Sequence, residues 1–150
     1  MMSRFTSTYL NKVDRKGRVS VPAPFRTVLD GQGSGVFYLK RNEVDGTIDG
    51  LTEAYMDDVQ DRIDALPMNS PEREDAEDEF FADSTEMRCD PDGRIILPKA
   101  LMELANIDDQ ALFVGKGKSR FQIWHPETYH ARRAERASSG RPNILHRANN

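Results

Sequence analysis

Residues 13–26 read VDRKGRVSVPAPFR, and residues 89–102 read CDPDGRIILPKALM. With one placed above the other, Asp14 falls on Asp90, Gly17 on Gly93, Arg18 on Arg94 and Pro22 on Pro98. Apolar positions agree as well: Val13 meets Cys89, Val19 meets Ile95, Val21 meets Leu97 and Phe25 meets Leu101. Two copies that bury the same face would show this pattern. The correspondence continues at the same offset, where Phe37 meets Phe113 and Lys40 meets Lys116; after a small deletion, Glu53-Ala54-Tyr55 meets Glu127-Thr128-Tyr129. The chain is an internal repeat.

Each copy predicts the order strand, tight turn, strand, short helix, strand, turn, strand, helix. The Asp-x-x-Gly tetrads suit a type I turn, since Asp at the first position can bond the backbone ahead and Gly at the fourth tolerates positive φ. Pro91 stiffens the second turn, because proline is favoured at that position. Pro22 or Pro24, and Pro98, fit the first turn of a helix, with Phe25, Val28 and Leu29, or Leu101, Leu104 and Ala105, following at helical spacing. Gly31 and Asn106 are the expected stops. A second hairpin is predicted from Val36–Lys40 and Thr47–Asp49 through Asp45-Gly46, and again from Leu112–Gly115 and Arg120–Trp124. In the first copy Thr52 can cap a helix whose stripe is Tyr55, Met56, Val59, Ile63 and Leu66, ended by Pro67. Ser70-Pro71 starts a further helix that the second copy lacks, with Ala76, Phe80 and Phe81 as expected buried residues. From Ser138 to Asn150 the composition reads as a mobile basic tail.

The chain has 150 residues, a hydrophobic share of 37% and a charged share of 31%. That balance is poor in apolar residues for a globular domain, so part of the burial is expected to come from partner subunits in a homo-oligomer. Cys89 is the single cysteine and has no zinc-like neighbours, which points to a reducing, cytoplasmic setting and to no metal or cofactor. No signal-peptide pattern opens the sequence, and no run of about 18 apolar residues suggests a membrane span.

The net charge of −4 hides a strong asymmetry. Between Met1 and Arg26 the bases Arg4, Lys12, Arg15, Lys16, Arg18 and Arg26 face only Asp14. Acids dominate from Glu43 to Asp92, and the chain turns basic again beyond Gly115. Arg15 and Lys16 occupy the centre of the first turn and Arg18 follows its glycine, so three cations project from one loop, with Lys12 just before it. A phosphate backbone is their natural partner: arginine grips phosphate or a guanine edge with a fork of donors, and lysine supplies charge. Arg18 and Arg94 have a structural alternative, in which each pairs with its own Asp14 or Asp90 and holds the turn. The second turn carries Pro91 and Asp92 in place of Arg15 and Lys16, and a carboxylate repels phosphate.

Other motifs carry less. Gly117-Lys118-Ser119 ends like a phosphate-binding loop, but Leu112 stands where its first glycine is required. The carboxylates from Glu72 to Asp83 lack calcium-loop spacing and read as a solvated helix face. His125, His130 and His146 have no nucleophile or ligand set at a recognisable spacing, so neither catalysis nor a small-molecule substrate is expected. Trp124 is expected in the core or at a subunit contact.

Asp14-Arg15-Lys16-Gly17-Arg18 before Val19-Ser20-Val21-Pro22, the second Asp90-x-x-Gly93-Arg94-Ile95-Ile96-Leu97-Pro98, and Phe121-Gln122-Ile123-Trp124 before a Pro-Glu helix start together resemble the MraZ family of bacterial transcriptional regulators. The resemblance covers the chain to about Ala137. It implies a β-rich α+β fold of tandem AbrB/SpoVT-like swapped-hairpin units with short helices, packed as an internal pseudo-dimer and assembled into rings. The corresponding division is 8–55 as a first, DNA-binding unit, 56–83 as an acidic helical linker, 84–127 as a second, scaffolding unit, and 128–150 as a C-terminal helix and tail. The implied function is non-enzymatic: repression of its own cell-division and cell-wall gene cluster by binding short direct repeats in promoter DNA, in the cytoplasm at the nucleoid. The DNA-contacting set is then Lys12, Arg15, Lys16 and Arg18, with Asp14, Gly17, Asp90, Gly93 and Arg94 shaping the turns. The other reading is an oligomeric protein-interaction scaffold that uses the acidic segment 57–83.

Overall fold

In the computed structural model, which describes residues 3–143 and 145, the two repeated segments pair with each other. Strand β2 (Arg18–Ser20) lies antiparallel to β6 (Arg94–Ile96), with Arg18 opposite Ile96, Val19 opposite Ile95 and Ser20 opposite Arg94. Two backbone hydrogen bonds extend the ladder: Leu97 N–H donates to Gly17 O at 2.9 Å, and Val21 N–H donates to Gly93 O at 2.9 Å. The Val19–Ile95 pair is the centre of this ribbon, and the two turns close its opposite ends.

The remaining strands form a six-stranded antiparallel sheet in the order β1 (Thr8–Lys12), β7 (Gln110–Gly115), β8 (Arg120–Trp124), β4 (Thr47–Thr52), β3 (Phe37–Asn42), β5 (Ser84–Met87). Exchanging each strand for its counterpart in the other copy reverses this order and leaves it unchanged. The first strand of each copy therefore covers an edge of the other copy's hairpin, β1 on β7 and β5 on β3. The tight turns form within each copy, but a strand–turn–strand ladder does not continue from them; in the first copy the two arms meet through the bridge Val13–Val19, the Asp14 N–H bond to Arg18 O at 3.0 Å and the Asn11 amide, which donates to Ser20 O at 2.7 Å. The fold is α+β, rich in strands and swapped between repeats.

Alternating burial in the ribbon explains the arrangement. Val19 and Ile95 point inward at 1% and 3% exposure and join a core built from both copies, while Arg18, Ser20, Arg94 and Ile96 face out. Helix α1 (Ala23–Gly31), entered from Pro22, brings Phe25 into the centre, where its ring lies 5.2 Å from Phe5, 5.4 Å from Phe121 and 6.3 Å from Phe113. The counterpart α4 (Lys99–Leu104) follows Pro98 and buries Leu101. The two copies thus bury one shared apolar core against each other. Gly50 stands opposite Phe121 in the sheet, and a Cβ there would lie 2.3 Å from the ring. A smaller cluster of Leu112, Val114, Trp124 and Tyr129 packs under α5 (Pro126–Ser138).

Helix α2 (Glu53–Asp64) begins at Thr52, whose hydroxyl accepts from Tyr55 N–H at 3.2 Å, and buries Met56, Val59 and Ile63. Helix α3 (Pro71–Glu77) is capped by Ser70 and passes into one π turn at Asp78–Ala82. The expected burial of Ala76, Phe80 and Phe81 is incomplete, since all three are only half-buried. This segment packs against α2 and β5, and Phe80 meets the ammonium of Lys40 from β3 at 5.2 Å from its ring centre. Arg73 ties the excursion down through Asp64 at 3.2 Å, Leu66 O at 3.3 Å and Glu77 at 3.5 Å. Part of the expected basic tail, residue 144 and residues 146–150, lies outside the described residues.

Candidate nucleic-acid interface

The shared residues of the two turns do the same structural work. Asp14 Oδ1 accepts from the backbone N–H of Lys16 and of Arg18, each at 2.9 Å, and its Oδ2 accepts from Arg18 Nε at 2.6 Å. In the second turn Asp90 Oδ1 accepts from Asp92 N–H at 2.9 Å and Arg94 N–H at 2.8 Å, while Oδ2 accepts from Arg94 Nε at 3.2 Å. These backbone bonds, then the adjoining guanidinium, stabilise the ionised carboxylates and hold both aspartates below their usual range. Gly17 and Gly93 close the turns at φ of 83° and 80°, a region costly for any residue with a Cβ.

The centres of the turns differ. Arg15 and Lys16 are exposed, and among the described residues their side chains make no hydrogen bond or ion pair. Arg18, half-buried, is the one cation of this turn already held by a carboxylate. Lys12, also exposed, ends β1 opposite Gln110. At the other end Asp92 turns back on Arg94, 3.3 Å from Nη2, so Arg94 serves two carboxylates. One end of the ribbon is therefore strongly positive with free donors, and the other is internally neutralised. The positive end can approach a phosphate backbone without first breaking an ion pair at Arg15 or Lys16.

Arg26 belongs to the basic N-terminal stretch but serves the opposite turn. Its Nε donates to Val21 O at 3.2 Å, and a Cβ on Gly93 would fall 2.4 Å from its Nη1. Met102, the counterpart in the second copy, approaches Gly17 instead, with Sδ 3.4 Å from the equivalent point. Behind the second turn, a cavity of about 260 Å³ is lined by Arg26, Asp30, Arg88 and Cys89 among others. Burial pushes the Cys89 thiol up, which leaves it less of the reactive thiolate.

The remaining candidates have structural roles. Gly117 N–H and C=O both pair with Phe5, Lys118 O accepts from Gln32, and Ser119 O accepts from Thr52, so the Gly-Lys-Ser segment is a committed hairpin turn with no free phosphate cradle. His125 Nδ1 caps α5 by accepting from Glu127 N–H at 3.1 Å and Thr128 N–H at 3.4 Å. Trp124 is buried and donates to Gln122 Oε1 at 2.9 Å. Among the described residues, no group of three or more His, Cys, Asp or Glu side chains is placed to hold a metal ion, and no helix is long and apolar enough to cross a membrane.

Known proteins resemble this chain over nearly its whole length. A family model described as "MraZ protein, putative antitoxin-like" matches residues 80–148. A protein of Xanthobacter autotrophicus named Transcriptional regulator MraZ is 39% identical over 134 residues, covering 89% of this chain and 85% of that relative. A relative of the same name from Parvibaculum lavamentivorans is 40% identical over 131 residues, covering 87% of this chain and 81% of its own. The similarity to the Rickettsia akari relative, also so named, extends over 150 residues at 35% identity and covers 99% of this chain and 100% of that one.

Proposed function

The chain belongs to the MraZ family, and on that footing we propose that it is a sequence-specific DNA-binding regulator, an oligomeric repressor of its own cell-division and cell-wall gene cluster. The observation that carries the DNA contact is the pair of free, exposed cations Arg15 and Lys16 at one end of the ribbon. Lys12 extends the positive surface, and Arg18 contacts DNA from its place beside Asp14. The relatives are named as transcriptional regulators, in keeping with a binding surface in place of a catalytic site.

Repeated binding follows from the energetics. Three cations on one turn give a salt slope of at most roughly −2.7 per chain, too little for selective binding by a single subunit. A ring that presents identical turns to successive direct repeats raises avidity by about 10² or more when the spacings agree. Such a complex belongs at the nucleoid, in the cytoplasm.

The test is binding to the DNA upstream of the chain's own gene. Arg15→Ala combined with Lys16→Ala should weaken specific binding and flatten its salt dependence while the assembly keeps its size in gel filtration; unchanged affinity would sink the assignment. The scaffold reading is motivated by the acidic surface of α2 and α3. It predicts a protein partner that stays bound after nuclease treatment of a pulldown, whereas a regulator held through promoter DNA loses its co-purifying material.

A further inference from the structure

The swapped ribbon places one exposed apolar side chain on the face that the DNA reading assigns to the double helix. Ile96 is 61% exposed and stands directly opposite Arg18. Residues paired in this way project from the same side of a ribbon, with Cβ atoms about 5 Å apart. Its Cγ2 also lies 3.9 Å from the point where a Cβ on Gly17 would sit, so the isoleucine leans toward the turn that carries Arg15 and Lys16.

We infer that Ile96, supplied by the second copy, reads the 5-methyl group of thymine in the major groove beside Arg18; this inference rests on the DNA-binding function proposed above. The major groove admits a two-stranded β-ribbon, and thymine alone among the bases presents a methyl group there. The outer face of this ribbon has four side chains, Arg18, Ser20, Arg94 and Ile96. Arg94 is occupied by Asp90 and Asp92, while Arg18 and Ser20 can only offer polar contacts. Ile96 is the one member of the set that gains by meeting an apolar group.

Packing does not explain the isoleucine. Its counterpart in the first copy is Ser20, exposed at the equivalent place in the same fold, so the fold accepts a small polar residue there. Single exposed apolar residues are common on protein surfaces. What distinguishes this one is its place between the free cations of the first turn and the centre of the ribbon. β-branching also limits Ile96 to few rotamers, which suits a rigid contact to one methyl group. The second copy thereby contributes to base recognition although its own turn is neutralised.

The experiment uses the full-length assembly and its own upstream promoter fragment. Thymines are replaced one at a time by deoxyuridine, which removes only the 5-methyl. At one or two positions per repeat, affinity should fall about four-fold, the factor expected from losing the burial of one methyl-sized group. Ile96→Ala should bind the unmodified site more weakly by a similar factor and be indifferent to deoxyuridine at those positions, whereas Ile96→Val should retain the sensitivity. Specific binding by the unsubstituted chain with no deoxyuridine effect, or an Ile96→Ala variant with undiminished sensitivity, overturns this inference and leaves the DNA-binding reading standing. A change of assembly size in Ile96→Ala, with base preference unaltered, would place Ile96 at a subunit contact and also overturn it. Failure of the unsubstituted chain to bind the fragment overturns both.

Discussion

Removing Arg15 and Lys16 together should change the salt dependence of DNA binding before it changes anything else. The turn is held by the Asp14 carboxylate, the backbone N–H groups of Lys16 and Arg18, and Gly17; neither the Arg15 nor the Lys16 side chain takes part. Alanine at both exposed positions should alter stability by no more than about 0.5 kcal/mol each. Each phosphate contact contributes about −0.9 to the slope of log K against log salt, so the pair accounts for about −1.8 per contacting chain. A rise from about 50 to about 200 mM salt then weakens binding roughly 12-fold per contacting chain through these two side chains alone. Arg18 contributes less than a full contact, because Asp14 already holds it at 2.6 Å. Fluorescence anisotropy of the labelled promoter fragment across that salt range, with gel filtration beside it, measures the slope for both proteins. An unchanged slope in an assembly of unchanged size would refute the placement of these cations on phosphate.

Other outcomes follow from the turns and the shared core. Asp14→Asn should lower the melting temperature at neutral pH. Because the folded aspartate titrates below its ordinary value of 3.8, its contribution is fully present above that pH and is lost as pH falls below it; the gap between the two proteins in a pH series should therefore close below about pH 4, and a gap independent of pH would contradict this role. Gly50→Ala forces a Cβ toward Phe121, nominally to 2.3 Å, and should cost about 1–3 kcal/mol through overpacking. Calorimetry should show one cooperative transition at lower temperature, since Phe121 touches rings from both copies; two separate transitions would argue against a common core. Asp92→Ala should leave specific DNA binding intact in the same anisotropy assay, and a marked loss would show that the second turn also contacts DNA.

Much of the local structure is legible in the sequence because short-range chemistry sets it. The Asp-x-x-Gly turns, the Thr52 and Ser70 caps and the Asp45-Gly46 turn depend on residues within a few positions of one another. Strand pairing is another matter. An alternating strand after a tight turn has the same pattern whether it folds back on its own copy or crosses to the other, so the pattern alone could not place β2 beside β6; the swapped-hairpin fold implied by the family resemblance is what anticipates the exchange. The fate of Arg26 is hidden for the same reason, since its neighbour Gly93 comes from the other repeat. Phe80 and Phe81 look like core residues by type, but their helix rides at the sheet edge, where Lys40 covers one ring. For Arg18 the sequence leaves both a DNA contact and an ion pair open, and the structure shows the pair with Asp14. Ile96 does leave a trace: in the repeat alignment Ser20 and Ile96 correspond in position but not in polarity, and that mismatch falls on the face shared by both strands.

The division of labour between the two ends of the ribbon is open to one direct measurement. A photo-crosslinking amino acid placed at position 16 or at position 92 of the full-length chain, with the assembly bound to its promoter fragment, reports which turn touches DNA. Strong cross-linking from position 16 and little from position 92 is expected; equal cross-linking from both, or the reverse order, would contradict it.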